Sequence, residues 1–454
     1  SMKRFFASLS GLIPFLVHAQ LAVVEAPDTT LLSGSMFTNE AQPLEKLAFN
    51  RKGIATYNNP SLKEKAQIQL LLADGKTYCI VVEPGKTQRL KLTRGKGGKL
   101  QAQYKGANII LSQLLNELAA FVPEKNAAYE MANRSVDTIS FAEAHRRLDE
   151  RYHRLVKMAG ELGTPDERAR HLRDVELAYL SNRLLLLSDE DYQHQRDPNE
   201  DKRYMALIND INPDDTAYIQ RGLTDMFVRS KIPFSVMQEA TVGSYGEAYL
   251  NAVDAHVHNP HVRSFLMEGL VGAILGQMPA NEVESFWAVV KAKAAPEIVQ
   301  KYQHVVDAQR ATKPGVKCPD ITFSDSEGKK HHLSDYFGKV LYIDLWATWC
   351  KPCLAEIPAL AAQVEHYKND NRVQFISISL DKSRAAWLTR LQKDRPQWLQ
   401  FNANDEENTV ISAAFSVMSI PRFILIAADG TVLDAEAFRP SDKDFQKKLE
   451  GLLQ

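Results

Sequence analysis

Two of the four cysteines lie three residues apart, in the motif Cys350-Lys351-Pro352-Cys353. If Cys350 opens a helix, the unpaired N–H groups and the dipole of the first turn stabilise its thiolate, and Lys351 adds a nearby positive charge. Pro352 loses no hydrogen bond there, since first-turn N–H groups have no partner within the helix. The spacing brings Cys353 within disulfide reach. We therefore expect an exposed attacking thiolate at Cys350 and a resolving thiol at Cys353.

A lone pair of cysteines at this spacing leaves other chemistries open. Zinc would need two further ligands, and Cys318 with His331 or His332 matches no common zinc module. Cys79 lies in an apolar run and is expected to be a buried small hydrophobe, as is Cys318. Four cysteines in 454 residues are too few for a disulfide scaffold.

The amino-terminal segment predicts export. Lys3-Arg4 precedes an apolar run from Phe5 to Val17, which is shorter than the ~20 residues of a membrane-spanning helix. Val17-His18-Ala19 then predicts cleavage of a signal peptide, residues 1–19, after Ala19. Export implies a periplasmic location, where disulfide chemistry is possible, and no membrane span after cleavage. The net charge of −1 offers no basic surface for nucleic acid.

The elements that must position the cysteines follow from hydrophobic periodicity. Residues 20–107 alternate between short apolar runs and turns such as Asp74-Gly75 and Pro84-Gly85, which predicts a small antiparallel β domain. Residues 108–312 have helical spacing, with Thr164 and Pro165 opening one helix. The acidic stretch Asp189-Glu190-Asp191 is expected to be a solvated loop. Residues 313–454 alternate strand and helix, with near-continuous apolar strands that indicate a sheet covered on both faces.

The segment around the motif resembles the thioredoxin-like TlpA/ResA/CcmG family over residues 315–454. Three stretches carry the resemblance in order: Pro319 to Tyr336, Ile343 to Pro358 and Ile420 to Gly430. The resemblance implies an α/β thioredoxin-like carboxyl-terminal domain, which follows the all-α middle region that the helical spacing predicts. The amino-terminal β domain is similar, more loosely, to the one that often precedes such domains in exported bacterial proteins.

This resemblance also implies the roles of individual residues. Pro421 would be a cis-proline facing the disulfide, and the backbone of Ile420 would pair with an extended substrate. Trp349, with Lys351 and Pro352, would lie on the substrate side of Cys350. Asp344 occupies the position of a buried acid, and Glu356 matches an acid near the active site. Either could accept the proton of Cys353 if burial raises its pKa.

The leading hypothesis is a periplasmic thiol:disulfide oxidoreductase that reduces exported proteins, with no cofactor beyond its own disulfide. Electrons would come from a membrane-borne donor. A disulfide oxidase uses the same two cysteines at a different potential. A peroxidase is disfavoured, because no proline precedes Thr348 at the spacing such enzymes need. A third alternative is a partner-binding or redox-sensing envelope protein in which residues 20–310 are the principal module.

Overall fold

A computed structural model of the chain describes residues 20–26, 36–39, 42–46, 50–72, 76–98, 100–125 and 139–453. The predicted signal peptide lies outside these residues. The chain divides into two compact units, Ser1–Asp210 and Ile211–Gln454. The predicted four-part domain division stays a prediction. None of the helices among the described ranges is long and apolar enough to cross a bilayer.

The first unit begins with two four-stranded sheets, ordered β4-β1-β7-β8 and β3-β2-β5-β6. The predicted β domain is therefore confirmed. Most neighbours are antiparallel, but β1 runs parallel to β7, which local alternation could not predict. The strands are β1 (Ala22–Glu25), β2 (Met36–Asn39), β3 (Gln42–Lys46), β4 (Ile54–Tyr57), β5 (Ala66–Leu71), β6 (Thr77–Val82), β7 (Gln88–Arg94) and β8 (Leu100–Gly106).

The two predicted turns differ in what the structure describes: at Pro84-Gly85 a single bridge joins Glu83 to Lys86. Strands β5 and β6 are antiparallel with Leu71 opposite Thr77, and the predicted turn at Asp74-Gly75 lies outside the described residues. At the second turn Gly85 has a φ of 73°, in the left-handed region that favours glycine.

The edge of β6 is covered by the helix α1 (Ile109–Ala119). The Asn116 side chain accepts a hydrogen bond from the Cys79 amide at 2.8 Å and donates to the Cys79 carbonyl at 3.0 Å. It thereby occupies the place of a neighbouring strand. Cys79 itself is buried, and desolvation raises the pKa of its thiol. This agrees with a structural role for Cys79.

The next two helices of the first unit share an apolar core with α1, and the last one packs against the longest of them. Thr164 caps the longest of them, accepting a hydrogen bond from the Glu167 amide at 3.2 Å with Pro165 at the first position, as predicted. The expected loop at Asp189–Asp191 is wrong, because the helix continues through it and buries Asp191 against Arg196 (Oδ1 to Nη2, 2.8 Å). These helices are α2 (Phe141–Gly160), α3 (Pro165–Gln193) and α4 (Lys202–Asn209).

The second unit begins with a helical region whose core contains Phe286 and Trp287, both fully buried. Gly222, with a φ of 67°, separates a short 3-10 turn (Thr216–Arg221) from the first of its helices. Its helices are α5 (Leu223–Arg229), α6 (Phe234–Glu239), α7 (Val242–His256), α8 (Pro260–Ile274), α9 (Val283–Lys293) and α10 (Pro296–Ala311).

A seven-stranded sheet follows in the same unit, ordered β10-β9-β13-β12-β11-β14-β15. The predicted α/β domain is confirmed, and the fully buried β11 lies between parallel β12 and antiparallel β14. Its strands are β9 (Thr322–Ser324), β10 (Lys330–His332), β11 (Val340–Trp346), β12 (Val373–Ser379), β13 (Leu399–Asn402), β14 (Arg422–Ile426) and β15 (Val432–Asp434). Its helices are α11 (Lys351–His366), α12 (Arg384–Asp394), α13 (Asp405–Ala414) and α14 (Phe445–Glu450).

Candidate active site

The cysteine motif lies where β11 gives way to α11. Cys350 is the N-cap of α11, and its Sγ accepts a hydrogen bond from the amide of Cys353 at 3.2 Å. The two residues form a disulfide with Cα atoms 5.3 Å apart. The predicted placement of Cys350 at the first turn of a helix is therefore confirmed. The prediction that Cys353 lies close enough to form a disulfide with it is also confirmed.

The expectation that Cys350 is exposed is wrong for this oxidised state. Its exposed fraction is 4%, and that of Cys353 is 3%. Trp346 and Trp387 pack around the disulfide, together with the half-buried Ile420. These partners lie 4 to 70 positions away in sequence, so the motif by itself gave no sign of them. The neighbouring Trp349 is 69% exposed, and Lys351 and Pro352 are also exposed.

Pro421 follows a cis peptide bond, as predicted. The carbonyl oxygen of Ile420 lies 3.7 Å from Sγ of Cys350. The Ile420 backbone is thus adjacent to the sulfur that a substrate would approach. Its pairing with a substrate stays a prediction.

Asp344 lies on β11 and is buried. Its Oδ2 accepts a hydrogen bond from the Ser377 hydroxyl at 2.8 Å, and that hydroxyl accepts one from Nε1 of Trp398 at 2.8 Å. Burial raises the pKa of Asp344 to about 7, and the negative charge of Glu356 adds to the rise, against the lowering effect of the Ser377 hydrogen bond. A carboxyl with this pKa exchanges protons near neutral pH.

A small cavity of about 20 Å³ lies beside Asp344, lined also by Ser377 and Trp398. This is room for one water molecule, and the polar side chains around it supply hydrogen-bonding partners. The cavity therefore has the size and polarity to hold a water next to the Asp344 carboxyl.

Glu356 is buried one turn after Cys353, on α11. Its two carboxylate oxygens accept hydrogen bonds from the amide of Ser441 at 3.1 Å and from the Ser441 hydroxyl at 2.8 Å. Nη1 of Arg439 lies 3.7 Å from Oε1 of Glu356. The carboxylate is thus held by the chain near the carboxyl terminus, and a proton-transfer role for Glu356 stays a prediction.

A buried carboxylate missed by sequence reasoning, Asp381, fixes the turn before Cys350. Its Oδ2 accepts a hydrogen bond from the Thr348 amide at 2.9 Å, and Oδ1 accepts one from the Thr348 hydroxyl at 2.6 Å. The hydroxyl of Ser379 also donates to Oδ2, at 2.7 Å. An acid directly after a buried strand, beside the end of β11, was the available signal. Asp381 therefore positions the loop without touching either sulfur.

Cys318 is buried in the core of the sheet. Desolvation raises the pKa of its thiol to about 11, and nearby Asp320 adds to the rise. A thiol with this pKa is almost entirely protonated at neutral pH, so Cys318 is a poor nucleophile. This agrees with the expected packing role.

The fold and the disulfide define a thioredoxin-fold dithiol protein. Residues 338–432 match the family model described as thioredoxin-like. Over 140 residues the chain is 31% identical to a thiol-disulfide oxidoreductase ResA of Bacillus cereus, covering 31% of this chain and 76% of that relative. The ResA protein of Bacillus subtilis is 26% identical over 132 residues, covering 29% and 72%.

Among solved structures, the thioredoxin domain of a thiol-disulfide oxidoreductase from Bacteroides vulgatus is 23% identical, with a TM-score of 0.29, and covers 31% of this chain and 98% of that one. On the similarity to the Bacillus relatives, the chain belongs to the ResA-like family of thioredoxin-fold proteins. It is a thiol-disulfide oxidoreductase.

Proposed function

We propose that the protein is a periplasmic disulfide reductase acting on exported proteins. The observation that carries the proposal is the Cys350–Cys353 disulfide at the start of α11, with the carbonyl of Ile420 and the cis bond to Pro421 beside it. This arrangement offers a substrate sulfur an approach next to backbone that can pair with an extended chain.

In the reducing direction the dithiol form reacts in two steps. The Cys350 thiolate attacks one sulfur of a substrate disulfide, which breaks that bond, forms a mixed disulfide and releases one substrate thiolate that takes up a proton. Cys353 then gives its proton to Asp344 and attacks Sγ of Cys350, which releases the second substrate thiolate. The protein ends with the Cys350–Cys353 disulfide, which a membrane-borne donor would reduce again.

Asp344 supports this second step. A carboxylate with an ordinary pKa is a weak base at neutral pH, whereas a pKa of about 7 matches the task. The Asp344 carboxyl would return its proton to solvent through a water in the adjacent cavity. The base is thus available again for the next cycle.

The direction of electron flow is tested by the reduction potential of the Cys350–Cys353 pair. We expect equilibration of the full chain with glutathione buffers to give a value below about −200 mV, as for disulfide reductases. A value near about −120 mV, as for strong oxidants, would favour the oxidase alternative instead.

The substrate class is tested by trapping. A Cys353→Ala variant keeps the Cys350 nucleophile but lacks the thiol that resolves the mixed disulfide, so substrates should accumulate as disulfide-linked adducts. We expect non-reducing gels of periplasmic extract to show adducts that dithiothreitol cleaves by reduction. Mass spectrometry of these adducts would identify the substrate proteins. The matched control, Cys350→Ala/Cys353→Ala, should trap nothing. If the Cys353→Ala variant also traps no protein, the result would favour the alternative in which residues 20–310 form the principal binding module.

A further inference from the structure

The loop Ser416–Pro421 carries Ile420 to the disulfide and contacts the helical region of the same unit. The hydroxyl of Ser416, which has a φ of 49°, donates a hydrogen bond to the carbonyl of Val305 on α10 at 3.1 Å. Farther along the loop, the side chain of Met418 lies directly against Gly276, where a Cβ atom would come within 2.3 Å of the Met418 Cγ. The helical region therefore contacts the loop at two positions, Ser416 and Met418.

The two ends of the loop are also tied to each other. Nη2 of Arg422 donates to the carbonyl of Ser416 at 2.9 Å, and Nη1 donates to the carbonyl of Ala435 at 3.1 Å. Met418 lies between these fixed ends. A cavity of about 590 Å³, lined by Gly276, Ser416 and Arg422, adjoins the contact. Met418 itself is 56% exposed, so its side chain can shift into solvent without unfolding the domain.

Met418 and Trp349 are large apolar side chains that remain exposed, at 56% and 69%. Each belongs to a segment next to Cys350: Trp349 precedes it directly, and Met418 is two residues before Ile420, whose carbonyl oxygen is 3.7 Å from Sγ. Single exposed apolar residues are ordinary, but two on segments flanking a nearly buried disulfide indicate a contact surface. Methionine is unbranched and adapts to partners of different shape.

We propose that Met418, held in place by Gly276, is a specificity-determining contact for polypeptide substrates. The partner is an extended segment with an apolar side chain next to its disulfide cysteine. This inference rests on the proposed action on protein disulfides. It assigns the turn Leu275–Gln277 of the helical region a part in substrate recognition, through one side chain of the thioredoxin-fold domain.

The test is a Gly276→Ala variant of the full chain. Gly276 is not in the left-handed region, so alanine suits the backbone, but its Cβ must displace Met418. We expect kcat/KM for the reduction of insulin to fall on the order of tenfold or more, mainly through KM, because a small displacement of a positioned contact is costly. The rate with 5,5′-dithiobis(2-nitrobenzoic acid), a small disulfide that has no polypeptide segment to contact Met418, should stay within about twofold of the wild type.

Two further variants separate recognition from general damage. Gly269→Ala, on α8 of the same helical region, adds a Cβ with no atom within 4 Å and should leave both rates unchanged. Met418→Ala should slow the insulin reaction as Gly276→Ala does, and the double variant should be no slower than either, since both changes remove one contact.

Equal losses with insulin and with the small disulfide would overturn the inference, as would an unchanged insulin rate in Gly276→Ala or additive losses in the double variant. A wild-type chain that reacts with the small disulfide but not with protein disulfides would overturn the proposed function as well. If the wild-type chain reduces insulin but the variants do not behave as expected, only the assignment of Met418 is overturned and the proposed function stands.

Discussion

Replacing Cys350 with serine should abolish disulfide exchange, lowering the rate of insulin reduction on the order of a thousandfold or more. Cys350 is the sulfur beside the Ile420 carbonyl and at the start of α11, where an anion is stabilised. A serine hydroxyl in this position stays protonated and cannot form a mixed disulfide. The measurement is insulin reduction with the full chain in its dithiol form.

Cys318→Ala is the matched control for this experiment. Cys318 is equally buried in the same domain, but the pKa of its thiol is raised to about 11 and it lies in a different part of the core. Exchange by Cys318→Ala should match the wild type. A Cys350→Ser variant that keeps a substantial rate, or a Cys318→Ala variant that loses it, would contradict the assignment of the nucleophile.

Replacing Asp344 with asparagine should slow exchange and stabilise the fold at the same time. In the proposed reaction the carboxyl accepts the proton of Cys353, and loss of a general base costs on the order of a hundredfold. Wild-type activity should rise with pH through about 7, where Asp344 ionises, and Asp344→Asn should lose this rise. The pH profile of the insulin reaction measures both effects.

The stability effect has a definite sign. The pKa of Asp344 is about 7 in the folded chain and ordinarily ~3.9 in an unfolded one, so the folded state binds the proton more tightly. The wild type therefore loses stability as the pH rises from ~4 to ~7, by up to about 4 kcal/mol, and Asp344→Asn avoids this loss. Urea denaturation of the oxidised proteins should show the gain at pH 8 and almost none at pH 4.

Glu356→Gln is the informative comparison. Its negative charge contributes to the raised pKa of Asp344, so removing the charge should move the pH profile of exchange towards lower pH without abolishing its rise. If the rise of activity with pH disappears in Glu356→Gln and remains in Asp344→Asn, the proton transfer would be assigned to Glu356 instead.

The redox motif and its immediate frame were predictable because their signals are local. A strand, two cysteines three apart and a proline after the first of them define a helix start with its dithiol. The ordered motifs up to Pro421 then predicted the sheet and the cis bond. The family resemblance implied a buried acid at Asp344, and the burial of Asp344 raises the pKa of its carboxyl.

The features that sequence reasoning missed depend on residues distant in the chain. The burial of Cys350 comes from Trp387 and Ile420, and the role of Asp381 depends on a loop 33 positions away. Asp191 was predicted to lie in a loop because charged side chains are normally exposed to solvent. The ion pair with Arg196 compensates the charge of Asp191, which is therefore buried on the helix. Each contact forms only when the fold brings separate segments together.

The three hydrogen bonds that Asp381 accepts have a consequence for both directions of the reaction. They join the loop before Cys350 to the sheet through Thr348 and Ser379, and neither sulfur takes part. Because the scaffold does not include the disulfide, we expect it to persist when the disulfide opens, which would keep the two thiols neighbours with little rearrangement of the chain. Cys353 then meets the mixed disulfide at a very high effective concentration, which shortens the lifetime of the covalent intermediate whichever way the electrons move.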